Sequence, residues 1–272
     1  MIRVEFYKQV HRVRTYVLLF IIAAFPALLT LIFRVARPAP PASAEHAGDD
    51  LGFIVLASSS GLNMAIATLG HAGDVILPIV GVILAGSAVA EEANWGTLGY
   101  LLVRPVSRRR LVASKLLVIS ALMVAATALA VLFAVADGVV AFGWQAVETP
   151  AGATIPAGAA LARIAMATPY IAWSLAGVIS LGFFVSSVSS SSLNGAAAAF
   201  GLAAVSQILN SLPVLGDARY VLPTHYWRAW ESLLVSPAKW SDMAIGAAVQ
   251  LPYVIVFLAL TWWFFKRRDI VS

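Results

Sequence analysis

Glu91-Glu92-Ala93-Asn94-Trp95-Gly96-Thr97-Leu98-Gly99-Tyr100-Leu101-Leu102-Val103-Arg104-Pro105-Val106-Ser107-Arg108-Arg109-Arg110 is a charged, helix-forming island between two long apolar segments of a chain that otherwise avoids charge. Of the 272 residues, 61% are hydrophobic and 11% charged, against roughly 45–50% and 25% in a soluble domain. That composition predicts an all-α integral membrane protein. An island of charge kept within it is expected to meet something in the cytoplasm.

The apolar segments on either side are too long for a soluble core. They carry Gly and Pro, which membrane helices tolerate when neighbours satisfy the freed backbone groups. The alternating ten-residue pattern of a membrane barrel is missing. With no Cys, the chain has neither a disulfide framework nor a thiolate metal site, and its redox compartment is left open. The net charge of +5 is unevenly spread. Arg3, Lys8, Arg12 and Arg14 form one basic cluster, Arg104, Arg108, Arg109, Arg110 and Lys115 a second, and Lys266, Arg267 and Arg268 a third, together twelve of the 18 Lys and Arg. Clusters at the ends of apolar runs set topology and meet headgroups; they do not form a nucleic-acid stripe.

Six spans follow. Residues 1–15 place Ile2, Phe6, Val10 and Val13 on one helical face, as in a helix lying along a leaflet. Residues 16–34 have the length that crosses a ~30 Å hydrocarbon core at 1.5 Å per residue. Ala42-Ser43-Ala44 mimics a signal cleavage site, but the preceding run is too long and Arg34 and Arg37 intervene. Residues 37–50 read as an external loop. Gly70, His71, Gly73 and Asp74 interrupt the next apolar run, which predicts an outer interfacial helix over 51–70 and a second span over 73–90. Further spans are expected at 115–140, 164–185, 195–212 and 243–265, with an external loop at 143–156 and an external cap at 213–240. The basic clusters put both termini and the island on the cytoplasmic side of the plasma membrane.

Within the island, Leu98, Leu101 and Leu102 share a helical face, Pro105 ends that helix, and Ser107 can cap the next. Three successive Arg at the start of the third span oppose its helix dipole unless anions compensate, and Glu91 and Glu92 beside helix carbonyls equally need a cationic partner. In this arrangement the chain resembles the permease subunits of type-2 ABC transporters, mostly bacterial exporters. Those sequences carry an acidic residue at the inner end of the second span, then Gly-Thr-Leu, and a Pro-Val-Ser-Arg-like turn. Here Glu92 occupies the acidic position, Gly96, Thr97 and Leu98 the triplet, and Arg104, Pro105, Val106, Ser107 and Arg108 the turn. Trp95 stands where that family usually has a charged residue. The resemblance extends to the amphipathic amino-terminal helix, the six spans and the polar turn after the fourth.

The resemblance implies that 91–110 is a cytosolic coupling helix seated in a separate ABC ATPase. Leu98, Leu101 and Leu102 would form its docking ridge and Arg104 would set the register. It further implies two ATPase copies that bind ATP and Mg²⁺, and a second permease copy or homologue. The dimer seam would run along the first and fifth spans, whose apolar and small residues suit it. The cargo is not indicated. No G-x-x-x-x-G-K-[ST] run occurs, so the nucleotide chemistry belongs to a partner and no cofactor is expected in this chain.

Other residues are weighed against plainer roles. Asp74 and Asp137 lie near outer ends of spans, as interfacial carboxylates or as part of a cargo path. An intramembrane protease would need them paired, and His71-Ala72-Gly73-Asp74 lacks the G-x-G-D form. His11, His46, His71 and His225 lack ligand spacing, so no metal site is expected. Asn63, Asn194, Gln207 and Asn210 need hydrogen-bond partners within lipid. Gln207 and Asn210, one turn apart, suit an interhelical bond, a dimer contact or a translocation path. The aromatic stretch 221–230 reads as an interfacial anchor or an outer gate. An ATP-independent channel or secondary transporter would call for inverted repeats or mid-membrane charges, and neither is evident.

Overall fold

The computed structural model describes residues 2–35, 56–90, 108–149, 152–189, 191–235 and 237–267. Its helices are α1 (Ile2–Val10), α2 (Val13–Val35), α3 (Gly61–Gly86), α4 (Arg108–Phe142), α5 (Ala157–Ser174), α6 (Ala176–Val188), α7 (Ser192–Asn210) and α8 (Ser241–Arg267). Among the described residues six segments are long and apolar enough to cross a membrane: α2, α3, α4, α5 with α6, α7 and α8.

The amino-terminal helix is shorter than the expected 1–15, ending at Val10 before α2 starts at Val13. Its apolar Ile2 and Phe6 point outward, while Glu5 and Gln9 are buried against the protein. This orientation suits a helix with lipid on one side, because the polar groups need protein partners and the apolar ones do not.

The largest departure from the sequence reading concerns α3. The expected break between an outer helix over 51–70 and a span over 73–90 is absent: among the described residues the chain is one continuous helix from Gly61 to Gly86. The interruption at Gly70, His71, Gly73 and Asp74 corresponds to a π-helical turn over Ala72–Ile76. A π turn accommodates one extra residue without breaking the hydrogen-bonded column. Ser60 caps the helix start, its hydroxyl accepting from the Asn63 N–H at 3.1 Å.

Two glycine contacts set the height of α3 against its neighbours, one at its Gly61 end, termed outer after the orientation expected from the basic clusters, and one at its Gly86 end, termed inner. At the outer end the Gly61 N–H donates to the Gly143 carbonyl at 3.0 Å, and a Cβ on Gly61 would lie 2.6 Å from the Gly138 carbonyl oxygen. At the inner end a Cβ on Gly195 would lie 2.8 Å from the Gly86 Cα. Small residues let the backbones approach this closely, so that dispersion and, at Gly61, a backbone hydrogen bond join the helices. Ala199 and Ala203, on the same side of α7, are buried. Gly195, Ala199 and Ala203 of the fifth span therefore pack within the chain, while Ala197 and Ala198 are exposed. Leu193, Phe200, Val205 and Ile208 are left on the exposed face.

α4 runs 35 residues, or ~52 Å at 1.5 Å per residue, and so overshoots a ~30 Å core. The loop after it holds a small antiparallel hairpin, β1 (Val147–Glu148) with β2 (Thr154–Ile155). Asn63 extends that hairpin like a third strand. Its Nδ2 donates to the Glu148 carbonyl at 2.8 Å and its Oδ1 accepts from the Glu148 N–H at 3.0 Å.

Between α7 and α8 the cap contains two 3-10 turns, Pro213–Val221 and Ala229–Leu234. The tryptophans of 221–230 do not form the interfacial anchor that the sequence suggests. Trp227 and Trp230 are buried in the protein with Leu233. Gln250 of α8 pulls the segment in, its Nε2 donating to the Pro223 carbonyl at 2.7 Å while its Oε1 accepts from the Gly177 N–H at 3.2 Å.

Candidate functional site

The island falls outside the described residues, with Glu92, Gly96, Thr97, Leu98, Leu101, Leu102, Arg104, Pro105 and Ser107 among them; Arg108 is the first residue of α4. The frame that holds its two ends is described. α3 finishes in a turn at Ser87–Val89, and α4 carries Lys115 back past that turn. The Lys115 ammonium donates to Glu5 Oε1 at 2.9 Å and to the Ala88 carbonyl at 2.9 Å. The two charged side chains are 1% and 10% exposed. One ammonium thus joins the amino-terminal helix, the end of the second span and the start of the third.

A second clamp comes from the end of the fourth span. The buried Ser186 hydroxyl oxygen accepts from the N–H groups of Val89 and Ala90, at 3.1 and 3.0 Å. Ser186 opens the polar 186–194 turn in the sequence reading, and its contact is with the chain leading into the island. Directly outward of these bonds, Gly86 of α3 meets Gly195 of α7, and Gly182 of α6 sits against Ala85 and Ala199. Both ends of the island are therefore anchored in a tightly packed junction of α1, α3, α4, α6 and α7.

Glu5 escapes the sequence reading, although a signal for it exists. It is the one acid before Glu45, and Lys115 is the one cation in the apolar run after Arg110. Two isolated opposite charges at inner ends of spans are candidates for each other, because burying either alone costs far more than burying both.

Midway along α3, Asp74 lies within the π turn. Its carboxylate does not stand alone at the interface: Oδ2 accepts from Arg228 Nε at 2.8 Å. Arg228 Nη1 also lies 3.7 Å from Glu231 Oε1. Burial pushes the Glu231 carboxyl above its ordinary value, and the neighbouring Arg228 charge opposes that shift. Gly70, one turn before Asp74, leaves room for this group, its face lying against the Arg228 and Glu231 side-chain ends. Above the cluster is a cavity of about 370 Å³ whose lining includes Ile66, Gly70, Leu234, Arg228 and Glu231.

The other polar residues separate. Asp137 is level with Gly61, as the Gly61–Gly138 contact requires, and so stands ~20 Å along the helix axis from Asp74 at 1.5 Å per residue. The two aspartates are not paired. Asp137 Oδ2 is buried without a hydrogen-bond partner among the described residues. Asn210 accepts from His225 Nδ1, an interhelical bond between α7 and the cap. Gln207, half-buried one turn away, is not part of it.

Six membrane-length helices, glycine-mediated contacts and buried charge at helix ends define a multi-pass helical membrane protein. Residues 52–271 match the family of proteins of unknown function designated DUF2705, and the chain belongs to that family. No curated protein matches it.

Proposed function

We propose that this chain is the transmembrane permease subunit of an ATP-driven transporter of the type-2 ABC class, working as an exporter. One observation carries the reading: the ordered run of Glu92, Gly96-Thr97-Leu98 and Arg104-Pro105-Val106-Ser107-Arg108 between the second and third membrane-length helices. The frame around that run supports it. A coupling element is useful only if a push on it moves the spans, and a junction held by Lys115, Glu5 and Ser186 does not absorb such a push.

In this reading 91–110 faces the cytoplasm, as do both termini, and docks in a separate ATPase present in two copies. Those subunits bind ATP and Mg²⁺ and do the hydrolysis; the permease does no covalent chemistry. A second permease copy or homologue completes the pathway. Arg104, Arg108 and Glu92 supply charge for register, and Leu98, Leu101 and Leu102 the apolar ridge.

The test replaces Leu98, Leu101 and Leu102 together with Asp and purifies the chain with the ATPase encoded beside it. The expected outcome is loss of the ATPase from the complex while the spans remain inserted. An unchanged complex, or ATP-independent transport by vesicles holding the wild-type chain alone, overturns the proposal.

A further inference from the structure

A recess at the outer end of α8 carries chemistry that neither the inner frame nor the Asp74 cluster uses. It encloses about 550 Å³ among Tyr220, His225, Tyr226, Ala229, Asp242 and Ile245. His225 stands edge-on between two tyrosines. Its ring centroid is 5.1 Å from that of Tyr220 with planes at 77°, and 4.7 Å from that of Tyr226 with planes at 83°. His225 thus meets each tyrosine near a right angle and the three rings line the recess together, where a cation within ~6 Å of a ring face is attracted by its quadrupole.

The walls are held by contacts of their own. His225 donates to Asn210, and the Tyr226 carbonyl accepts from the Tyr170 hydroxyl at 2.7 Å. Gly246 leaves room for Tyr226, since a Cβ there would lie 2.6 Å from the tyrosine's own Cβ. Burial, aided by the Arg219 charge, pushes His225 below its ordinary value, so at neutral pH the imidazole does not repel a cation. Asp242 supplies a negative charge on the open side, its Oδ1 accepting from the Ser241 hydroxyl at 3.1 Å. Arg219, whose Nε donates to the Gly216 carbonyl at 3.1 Å, is an opposing charge near His225. A cation tethered to an anionic group satisfies both.

The height of the recess agrees with this chemistry. From Trp263 back to Asp242, α8 rises ~32 Å at 1.5 Å per residue, the thickness of a hydrocarbon core of ~30 Å. The recess therefore lies at the level of the outer headgroups.

We propose that this recess binds a quaternary ammonium group, carried either by a lipid headgroup or by a free cation. The proposal stands apart from the ATPase reading and survives its failure. The experiment titrates the full chain, in discs of phosphatidylglycerol, with choline and with its neutral isostere 3,3-dimethylbutanol. Binding is followed by saturation transfer and ring-current shift of the methyl protons. Choline is expected to bind about tenfold or more tightly than the alcohol, and Tyr220→Leu to weaken choline about tenfold while Tyr220→Phe retains it. Tyr220 is exposed, so these variants test the recess without disturbing the buried cap. Equal binding of the two compounds, or choline binding indifferent to both Tyr220→Leu and Asp242→Asn, overturns the proposal. Repeating the titration in phosphatidylcholine discs separates the sources: weakened choline binding assigns the recess to the lipid headgroup, and unchanged binding assigns it to a soluble cation.

Discussion

At its inner end α3 is held by Lys115 and Glu5, 1% and 10% exposed, and midway along its length by Arg228 and Asp74, 47% and 27% exposed. Both pairs are short, at 2.9 and 2.8 Å. Their surroundings separate them. The inner ammonium also holds the Ala88 carbonyl, next to a glycine contact that admits no side chain, whereas the outer guanidinium borders a cavity of about 370 Å³. A buried pair with its polar groups satisfied makes a fixed joint, since breaking it strands a charge in a low dielectric. An open pair exchanges with water at little cost. The same helix is thus rigidly held where the island begins and more loosely held at its middle, where Asp74 meets the cap.

The comparison is broken most directly at Lys115. Lys115→Met takes the ammonium from the buried Glu5 carboxylate and leaves Arg14 as a charge near it, and is expected to cost about 3 kcal/mol. The readout is thermal unfolding in detergent. Adding Glu5→Leu to the same chain is expected to recover most of that loss, because the stranded charge is then gone. A single variant as stable as wild type would show that the inner joint is no more closed than the outer one.

An intermediate effect is expected at Ser186. Ser186→Ala deprives the Val89 and Ala90 N–H groups of their acceptor, for a loss of about 1–3 kcal/mol in the same measurement. Hydrogen exchange at those two amides should rise with it. Protection that persists in the variant would assign the seating of this segment to packing alone.

The smallest effect belongs to the outer pair. Arg228→Met is expected to change stability by about 1 kcal/mol or less, since both partners stay within reach of water. A loss matching that of Lys115→Met would abolish the contrast between the two pairs.

The number and placement of the spans were legible because apolar length is a one-dimensional property of the sequence. The third span expected at 115–140 lies within Arg108–Phe142, and the last, expected at 243–265, within Ser241–Arg267. The π turn was legible only as a disturbance. Gly70, Gly73 and Asp74 weaken an α-helical pattern, but whether the chain breaks or adds a residue is decided by Arg228, 154 positions later. The buried cap tryptophans were misread for a similar reason. An amphipathic ring suits a headgroup layer and a protein core alike, and the choice rests on Gln250 drawing the Pro223 backbone inward. The inner frame escaped because its members are scattered: 110 positions separate Glu5 from Lys115, and 97 separate Val89 from Ser186.

That scatter bears on how the protein is made. Chains enter a membrane from the amino terminus, and α3 is synthesised well before Ser186 exists to receive the Val89 and Ala90 amides. Until α6 has been inserted, the exit of the second span has unmet donors at its edge, and the Lys115 clamp is half of the final joint. The seating of the island is therefore a late event in biogenesis, completed by a serine at the far end of the fourth span, and a nascent chain truncated before Ser186 lacks it.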